Sequence, residues 1–129
     1  MKKQNSFGGV AISGLVNIWH SLYDTEKQQQ IIAGLTLKVI DRLAKRDSVN
    51  YSQEDKKSYF TLNTQELKIE LDELILEEAI IPYLRTLFSE PYMDEDGNLA
   101  GVIVDNKSGR GIKGRYFIEA TFFFSLKFG

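Results

Sequence analysis

Apolar and polar residues alternate almost without fault over residues 115–128, RYFIEATFFFSLKF. A period of two places every second side chain on the same face of a β-strand. One face of such a strand would carry Tyr116, Ile118, Ala120, Phe122, Phe124, Leu126 and Phe128. We expect this face to line a hydrophobic core, so the chain must adopt a fold that contains a sheet.

A second strand and a basic segment precede this alternating stretch. Residues 99–106, LAGVIVDN, are predicted to form a strand that follows a turn in DEDGN, residues 94–98. The segment NKSGRGIKGRYF, residues 106–117, holds four cations, three glycines and no acid. Glycine lets such a segment bend, and the cations keep it solvated or hold an anion. We therefore expect a long C-terminal β-hairpin with a basic tip.

Upstream of the hairpin, an amphipathic helix is predicted over about residues 25–46. Thr25 and Gln28 have the spacing of a capping box, which marks the start of a helix. One helical face would carry Ile32, Leu35, Val39 and Leu43. Residues 48–58 are polar and aperiodic and are predicted as a loop, whereas YFTL at 59–62 predicts a short strand.

A second helix is predicted to begin after Asn63, an N-cap residue with Glu66 at the reciprocal position. Pro82 cannot lie undisturbed inside a helix, so two outcomes are open. Either a helix of about 64–71 turns near Asp72 into a kinked third helix, or a longer helix reaches about residue 80 and restarts at Pro82. In both cases residues 83–88 are predicted to be helical, and Pro91 ends the helical region.

The composition is that of one globular domain spanning residues 1–129, in which residues 1–15 can form a flexible arm. Of the 129 residues, 43% are hydrophobic and 26% charged, which is an ordinary balance for a packed core. The absence of cysteine excludes disulfides and thiolate chemistry and fits a cytoplasmic location. No apolar run is long enough to span a membrane, so no membrane partner is expected.

No catalytic residue, metal site or cofactor site is predicted, and we expect a protein that is not an enzyme. GRGIKG, residues 109–114, matches a dinucleotide-binding pattern, but a strand follows it where that motif requires a helix. Asp94, Asp96 and Asn98 alternate as in a calcium loop, but the glycine comes too early and no closing glutamate follows. His20 is the single histidine and is expected to pack beside Trp19.

Two features of the hairpin suggest partners. Its cations Lys107, Arg110, Lys113 and Arg115 are predicted to contact DNA backbone phosphates, although a basic tip can also serve solubility alone. Phe117 and Phe123 interrupt the polar face of the last strand and are predicted to form a protein interface. A second copy, another domain or the N-terminal arm could cover them, and we expect a homodimer.

The order of helix, loop, strand, helices and glycine-tipped hairpin is that of a winged helix. Three stretches resemble the N-terminal winged-helix domain of iteron-type plasmid replication initiators, namely residues 16–40, 59–71 and 114–126. The resemblance implies an α+β, winged-helix-like fold with about three to four helices packed on a small antiparallel sheet. It also implies a module that dimerises and contacts DNA backbone through its basic wing.

One part of the chain departs from that family. The candidate recognition helix, residues 72–88, holds four acids and one cation, Arg85, and is unfit for reading a major groove. The alternative hypothesis is a small non-enzymatic module of phage or mobile-element origin that binds a basic protein partner through this acidic helix.

Overall fold

The structure, a computed structural model, describes residues 1–120 of the chain. Their contacts form two compact units, one of Gln4–Leu84 and one of Met1–Lys3 with the chain from Arg85 onward. The helices of the described residues are α1 (Gly9–Ser13), α2 (Leu35–Ala44) and α3 (Thr64–Glu77). Their strands are β1 (Ile18–His20), β2 (Val49–Tyr51), β3 (Tyr59–Leu62), β4 (Leu87–Met93), β5 (Leu99–Asp105) and β6 (Arg110–Lys113). The predicted α+β class is confirmed, with two small antiparallel sheets.

The unit of Gln4–Leu84 is built on an antiparallel sheet of order β1-β3-β2. Trp19 of β1 and Tyr51 of β2 both lie opposite Phe60 in β3. Trp19 meets the buried Phe60 ring edge-on, with 6.1 Å between ring centres. The core joins this strand to α2 and α3. Its buried members are Val39, Ile40, Leu43, Phe60, Leu62, Leu67 and Leu74.

Helix α2 starts at Leu35, so the prediction of a helix from about residue 25 is wrong for residues 25–34. The Asp24 carboxylate closes a turn here, because it accepts a hydrogen bond from the Gln28 N–H at 2.8 Å. Lys27 has φ 57, a left-handed conformation that no α-helix contains. Of the predicted apolar face, the structure buries Val39 and Leu43 and exposes Ile32 and Leu35.

The strand predicted over residues 59–62 is confirmed as β3. Part of the preceding segment, predicted as a loop, forms β2 because Asn50 and Tyr51 pair with Thr61 and Phe60. A polar sequence can form such a strand when a partner supplies the ladder of hydrogen bonds.

The start of α3 is confirmed. The Asn63 side-chain oxygen accepts hydrogen bonds from the N–H groups of Gln65 at 3.0 Å and Glu66 at 3.4 Å. The helix then continues to Glu77, so the alternative that ends it near residue 71 is wrong. Ala79 follows with φ 50, and no helix restarts at Pro82.

The helix predicted for residues 83–88 is also wrong, because the chain enters β4 at Leu87. The unit that contains Arg85 holds an antiparallel sheet of order β4-β5-β6. Pro91 lies inside β4, opposite Val102, and does not end a helix. Proline is tolerated there because β4 is an edge strand, where an N–H can face away from the ladder.

The predicted strand over residues 99–106 is confirmed as β5, and the turn in residues 94–98 is confirmed as well. The Asp94 carboxylate accepts from the N–H of Asn98 at 2.7 Å, and Gly97 has φ 80. These contacts are those of a turn closed by an aspartate side chain.

The long final strand is wrong over residues 115–120, which form no strand. Pairing with β5 ends where Lys113 lies opposite Gly101, only two residues from the start of β5 at Leu99. Tyr116 and Ile118 are consequently 85% and 93% exposed and do not line a core. The remaining predicted core positions, Phe122, Phe124, Leu126 and Phe128, lie outside the described residues. Within residues 1–120, no helix is both long and apolar enough to span a bilayer.

The Asn63 cap gives a direct test of how α3 begins. Asn63→Ala should lower the free energy of unfolding by about 1 kcal/mol, because two N–H groups lose their acceptor. Asn63→Asp retains a capping oxygen and should stay within a few tenths of a kcal/mol of wild type. Urea unfolding of the three proteins measures the difference, and equal losses in both variants would refute the cap.

Candidate functional site

The four predicted phosphate-contacting cations lie in and around β6. Lys107 belongs to the turn after β5, Arg110 and Lys113 are the ends of β6, and Arg115 follows the strand. All four are exposed, and none forms an ion pair with a carboxylate among residues 1–120. Arg110 and Lys113 border a depression of about 560 Å³ that is lined mostly by residues of β5 and β6. Their proposed contact with phosphate stays a prediction.

The predicted interface residues are only partly described. Phe117 is half-buried, and its ring edge would lie 3.1 Å from a Cβ built on Gly114, so the two residues are in close contact. Phe123 lies outside the described residues. The predicted homodimer therefore stays a prediction.

The acidic helix has its own partners within the molecule. Glu66, Glu70, Glu73 and Glu77 of α3 all contact Arg42 or Arg46, and we call these six residues the Glu70 cluster. The Glu70 side chain is fully buried, and its carboxylate contacts the Arg42 guanidinium. Arg42 also holds Glu77 through two hydrogen bonds of 2.7 and 2.6 Å, which lower the pKa of that carboxyl. A helix face whose charges are already paired is a poor docking surface for a basic protein.

A pocket of about 360 Å³ lies beside α2 and the first sheet. Its floor is formed by the buried side chains of Ile40 and Phe60. Leu22, Tyr23 and Tyr51 form the walls, and we call this cavity the aromatic pocket. Cavities of this size hold small organic molecules, and aromatic walls are common among them.

Charged side chains border the aromatic pocket. Lys56, Lys57 and Asp41 are among its lining residues, and all three are exposed. The Lys57 amine donates to the Lys27 carbonyl at 3.0 Å and lies 4.8 Å from the centre of the Tyr23 ring. An ammonium over a ring face is held by the electrostatic field of the ring.

A set of contacts, which we call the lysine clasp, fixes the loop that carries these two amines. The Lys27 amine donates to Asp55 and to Ser58, each at 2.6 Å, and the Lys57 N–H donates to Asp55 at 2.8 Å. The clasp thus ties the turn at residues 24–28 to the loop at 52–58. The hydrogen bond from Lys27 is the main cause that lowers the pKa of Asp55 to about 2.

The other sequence candidates add no chemistry to these sites. His20 is exposed at the end of β1, opposite Tyr59, whereas Trp19 and not His20 packs into the core. Among the described residues, no group of three or more histidine, aspartate and glutamate side chains could hold a metal ion.

The chain was compared with models of known protein families. The family model described as FAD dependent oxidoreductase matches residues 1–122. The chain belongs to this family. No curated protein and no solved structure matches the chain.

This membership corrects four expectations. The predicted membership in the plasmid replication initiators is wrong. The two predicted functions, a DNA-binding replication module and a small non-enzymatic protein-binding module, are also wrong. The expectation that the chain is not an enzyme is wrong as well, because the family is one of oxidoreductases. The apolar spacing that carries the initiator resemblance occurs in many helical proteins, so it lacks the specificity to assign a family.

The described residues do not build a cradle for FAD. A dinucleotide-binding unit places a glycine-rich turn between a parallel strand and a helix, whose N-terminus holds the pyrophosphate. Both sheets described here are antiparallel. GRGIKG does not open a helix, because Gly109 ends a turn with φ 55 and Arg110–Lys113 pairs with β5 as β6. GRGIKG therefore lies in a turn and a strand and not at a strand-to-helix junction.

The strand-to-helix junctions elsewhere in the described chain do not replace that cradle. β3 leads to α3 through Asn63 alone, and the Asn63 side chain already occupies the N–H groups that an anion would need. Helix α2 starts at Leu35, after the N-cap Gly34, and follows a loop and not a strand. Helix α1 has only five residues and no strand before it, so residues 1–120 do not provide a dinucleotide cradle for FAD.

Removal of the buried carboxylate tests the Glu70 cluster. Glu70→Gln should lower the free energy of unfolding by about 3 kcal/mol, because two arginines lose the anion enclosed with them. Glu78→Gln is the matched control, since its contact with Lys38 is exposed and 3.8 Å long and should contribute less than about 1 kcal/mol. Urea unfolding followed by Trp19 fluorescence gives both values, and similar losses would contradict a central role for Glu70.

The lysine clasp predicts a pH dependence. The pKa of Asp55 is lowered from 3.8 to about 2, so its ionised form is favoured in the folded state. Its contribution to stability should be complete above pH 3.8 and should be lost as the pH falls towards about 2. Asp55→Asn should remove this part of the pH dependence. Carboxyl NMR titration measures the pKa, which should rise in Lys27→Gln; an Asp55 midpoint near 3.8 in wild type would contradict the clasp.

Proposed function

We propose that this chain serves FAD-dependent oxidoreduction as a part that binds the organic substrate, while the flavin is bound by groups outside residues 1–120. The aromatic pocket is the observation that carries the proposal. It combines an apolar floor, aromatic walls and charged groups at the rim. Such a combination orients a small molecule, because apolar surface gives affinity and a few polar groups fix direction.

In this proposal the chain binds the organic substrate and orients it. Ile40 and Phe60 exclude water from the floor because both side chains are buried. The positively charged amines of Lys56 and Lys57 attract a negatively charged group of the substrate to the rim of the pocket. A substrate that is already held in one orientation loses less translational and rotational entropy on reaching the transition state. Such positioning lowers the activation barrier in many enzymes.

Two features of the chain support this assignment over a flavin-holding role. The described sheets lack the parallel arrangement that a dinucleotide needs, and the pocket suits a molecule much smaller than FAD. The absence of cysteine supports a cytoplasmic site of action, where thiol chemistry is not required for stability.

Titration of the purified protein with FAD and with a library of small organic molecules tests the proposal. We expect no saturable FAD binding by residues 1–120, and we expect amide shifts of Tyr23, Tyr51 and Lys57 when a small molecule binds. Two-dimensional ¹⁵N NMR reports both results residue by residue.

Stoichiometric FAD binding with shifts inside residues 1–120 would overturn the assignment of the flavin to other groups. A library in which no molecule shifts the pocket amides would overturn the substrate-binding role. Lys45→Gln serves as the control variant, because Lys45 is exposed and does not line the pocket.

A further inference from the structure

We infer that the aromatic pocket selects a planar aromatic molecule that carries a single negative charge, such as an aromatic monocarboxylate; this inference rests on the proposed function. It names the class of molecule that the same site holds. The rings, the amines and the one acid at the rim each restrict that class.

The rings favour a flat, aromatic body. Phe60 is fixed in the floor between Trp19 and Tyr51, each with its ring centre 6.1 Å from that of Phe60. Tyr51 is itself partly exposed and lines the pocket. Aromatic rings gain from stacked or edge-to-face contact beyond the area that they bury, and an aliphatic ligand does not obtain this gain.

The amines favour an anion. Among the described residues, four cations of this unit have carboxylate partners, as in the pairs Lys27 with Asp55 and Arg42 with Glu77, whereas Lys45 and Lys68 have none and lie away from the pocket. Neither Lys56 nor Lys57 has such a partner among residues 1–120. The Lys57 ammonium has three N–H donors and uses one on the Lys27 carbonyl, so two remain for a ligand.

The position of Lys57 is also fixed before any ligand binds. The Lys27 carbonyl and the Tyr23 ring hold its amine from two sides. A donor that is already in place loses little side-chain freedom on binding, which favours affinity.

Asp41 limits the charge of the ligand. Asp41 lines the pocket together with Lys56 and Lys57, so the three charged lining residues carry a net charge of one positive unit. A second negative charge on the ligand would meet Asp41 without a further cation to balance it. This arrangement favours a monoanion over a phosphate ester or a dicarboxylate.

Calorimetry with three probes of matched shape or charge tests the inference. 2-Naphthoate has the planar body and the charge, 2-naphthamide keeps the body without the charge, and cyclohexanecarboxylate keeps the charge without the aromatic ring. We expect 2-naphthoate to bind at least about fivefold more tightly than either of the others. Its affinity should fall as salt is added, since exposed charges are screened.

Variants separate the contribution of the amines. Lys56→Gln and Lys57→Gln should each weaken 2-naphthoate about two- to fivefold and leave 2-naphthamide unchanged. Lys45→Gln should change neither, because this lysine lies away from the pocket. Lys56→Gln keeps the test decisive if Lys57→Gln disturbs the lysine clasp, since Lys56 takes no part in the clasp.

Equal affinity for 2-naphthoate and 2-naphthamide would overturn the selection of an anion, and equal affinity for cyclohexanecarboxylate would overturn the selection of an aromatic body. In both cases the pocket still binds organic molecules, so neither result contradicts the proposed substrate-binding function. Tight 2-naphthoate binding that Lys56→Gln and Lys57→Gln do not weaken would place the anion elsewhere and overturn the inference. Saturable FAD binding tests the proposed function separately.

Discussion

The buried Glu70 carboxylate and the two guanidinium groups around it set the relation between α2 and α3. A carboxylate removed from water needs opposite charges close to it, and here the guanidinium groups of Arg42 and Arg46 supply them. The contact allows little freedom, since a shift of one helix would leave charges buried without a partner. The apolar core alone would tolerate such a shift more easily, because hydrophobic contact has no direction.

The aromatic pocket depends on that arrangement. Ile40 and Asp41 belong to the same helix as Arg42, so the contacts that fix the guanidinium also fix one side of the pocket. The opposite side is fixed by the lysine clasp and by the pairing of β2 with β3. A site for a small molecule thus rests on two groups of charged contacts, each of which lies outside the cavity itself.

Local signals in the sequence predict those elements whose cause lies within a few residues. Asn63 marks the start of α3 because its side chain bonds N–H groups two and three residues later. The strand β4 has a distant cause, since its residues pair with β5 and only that pairing overrides the helical spacing of Leu84, Leu87 and Phe88. Proline ends a helix but is tolerated in an edge strand. The sequence around Pro91 does not show which of these two elements contains it.

The candidate site shows the same limit. The aromatic pocket assembles residues from the ranges 22–30, 37–41 and 51–60, and no spacing rule connects them. The Glu70 cluster had a usable signal, because arginines at 42 and 46 match glutamates at 66, 70, 73 and 77 once two helices are assumed to pack side by side. In contrast, the cations of the β5–β6 hairpin form an obvious run in the sequence. This run predicts a phosphate-binding surface, which membership in the oxidoreductase family does not require.

The lysine clasp has a consequence for how the folded chain meets a protease. Lys56 and Lys57 are adjacent, exposed and followed by serine, so by sequence alone this loop would be an early target for trypsin. Cleavage requires several residues of the loop to extend into the groove of the protease. The hydrogen bond from the Lys57 N–H to the Asp55 carboxylate and that from the Lys27 amine to the Ser58 hydroxyl oppose this extension. The time course of tryptic digestion at this loop therefore reports how often the clasp opens.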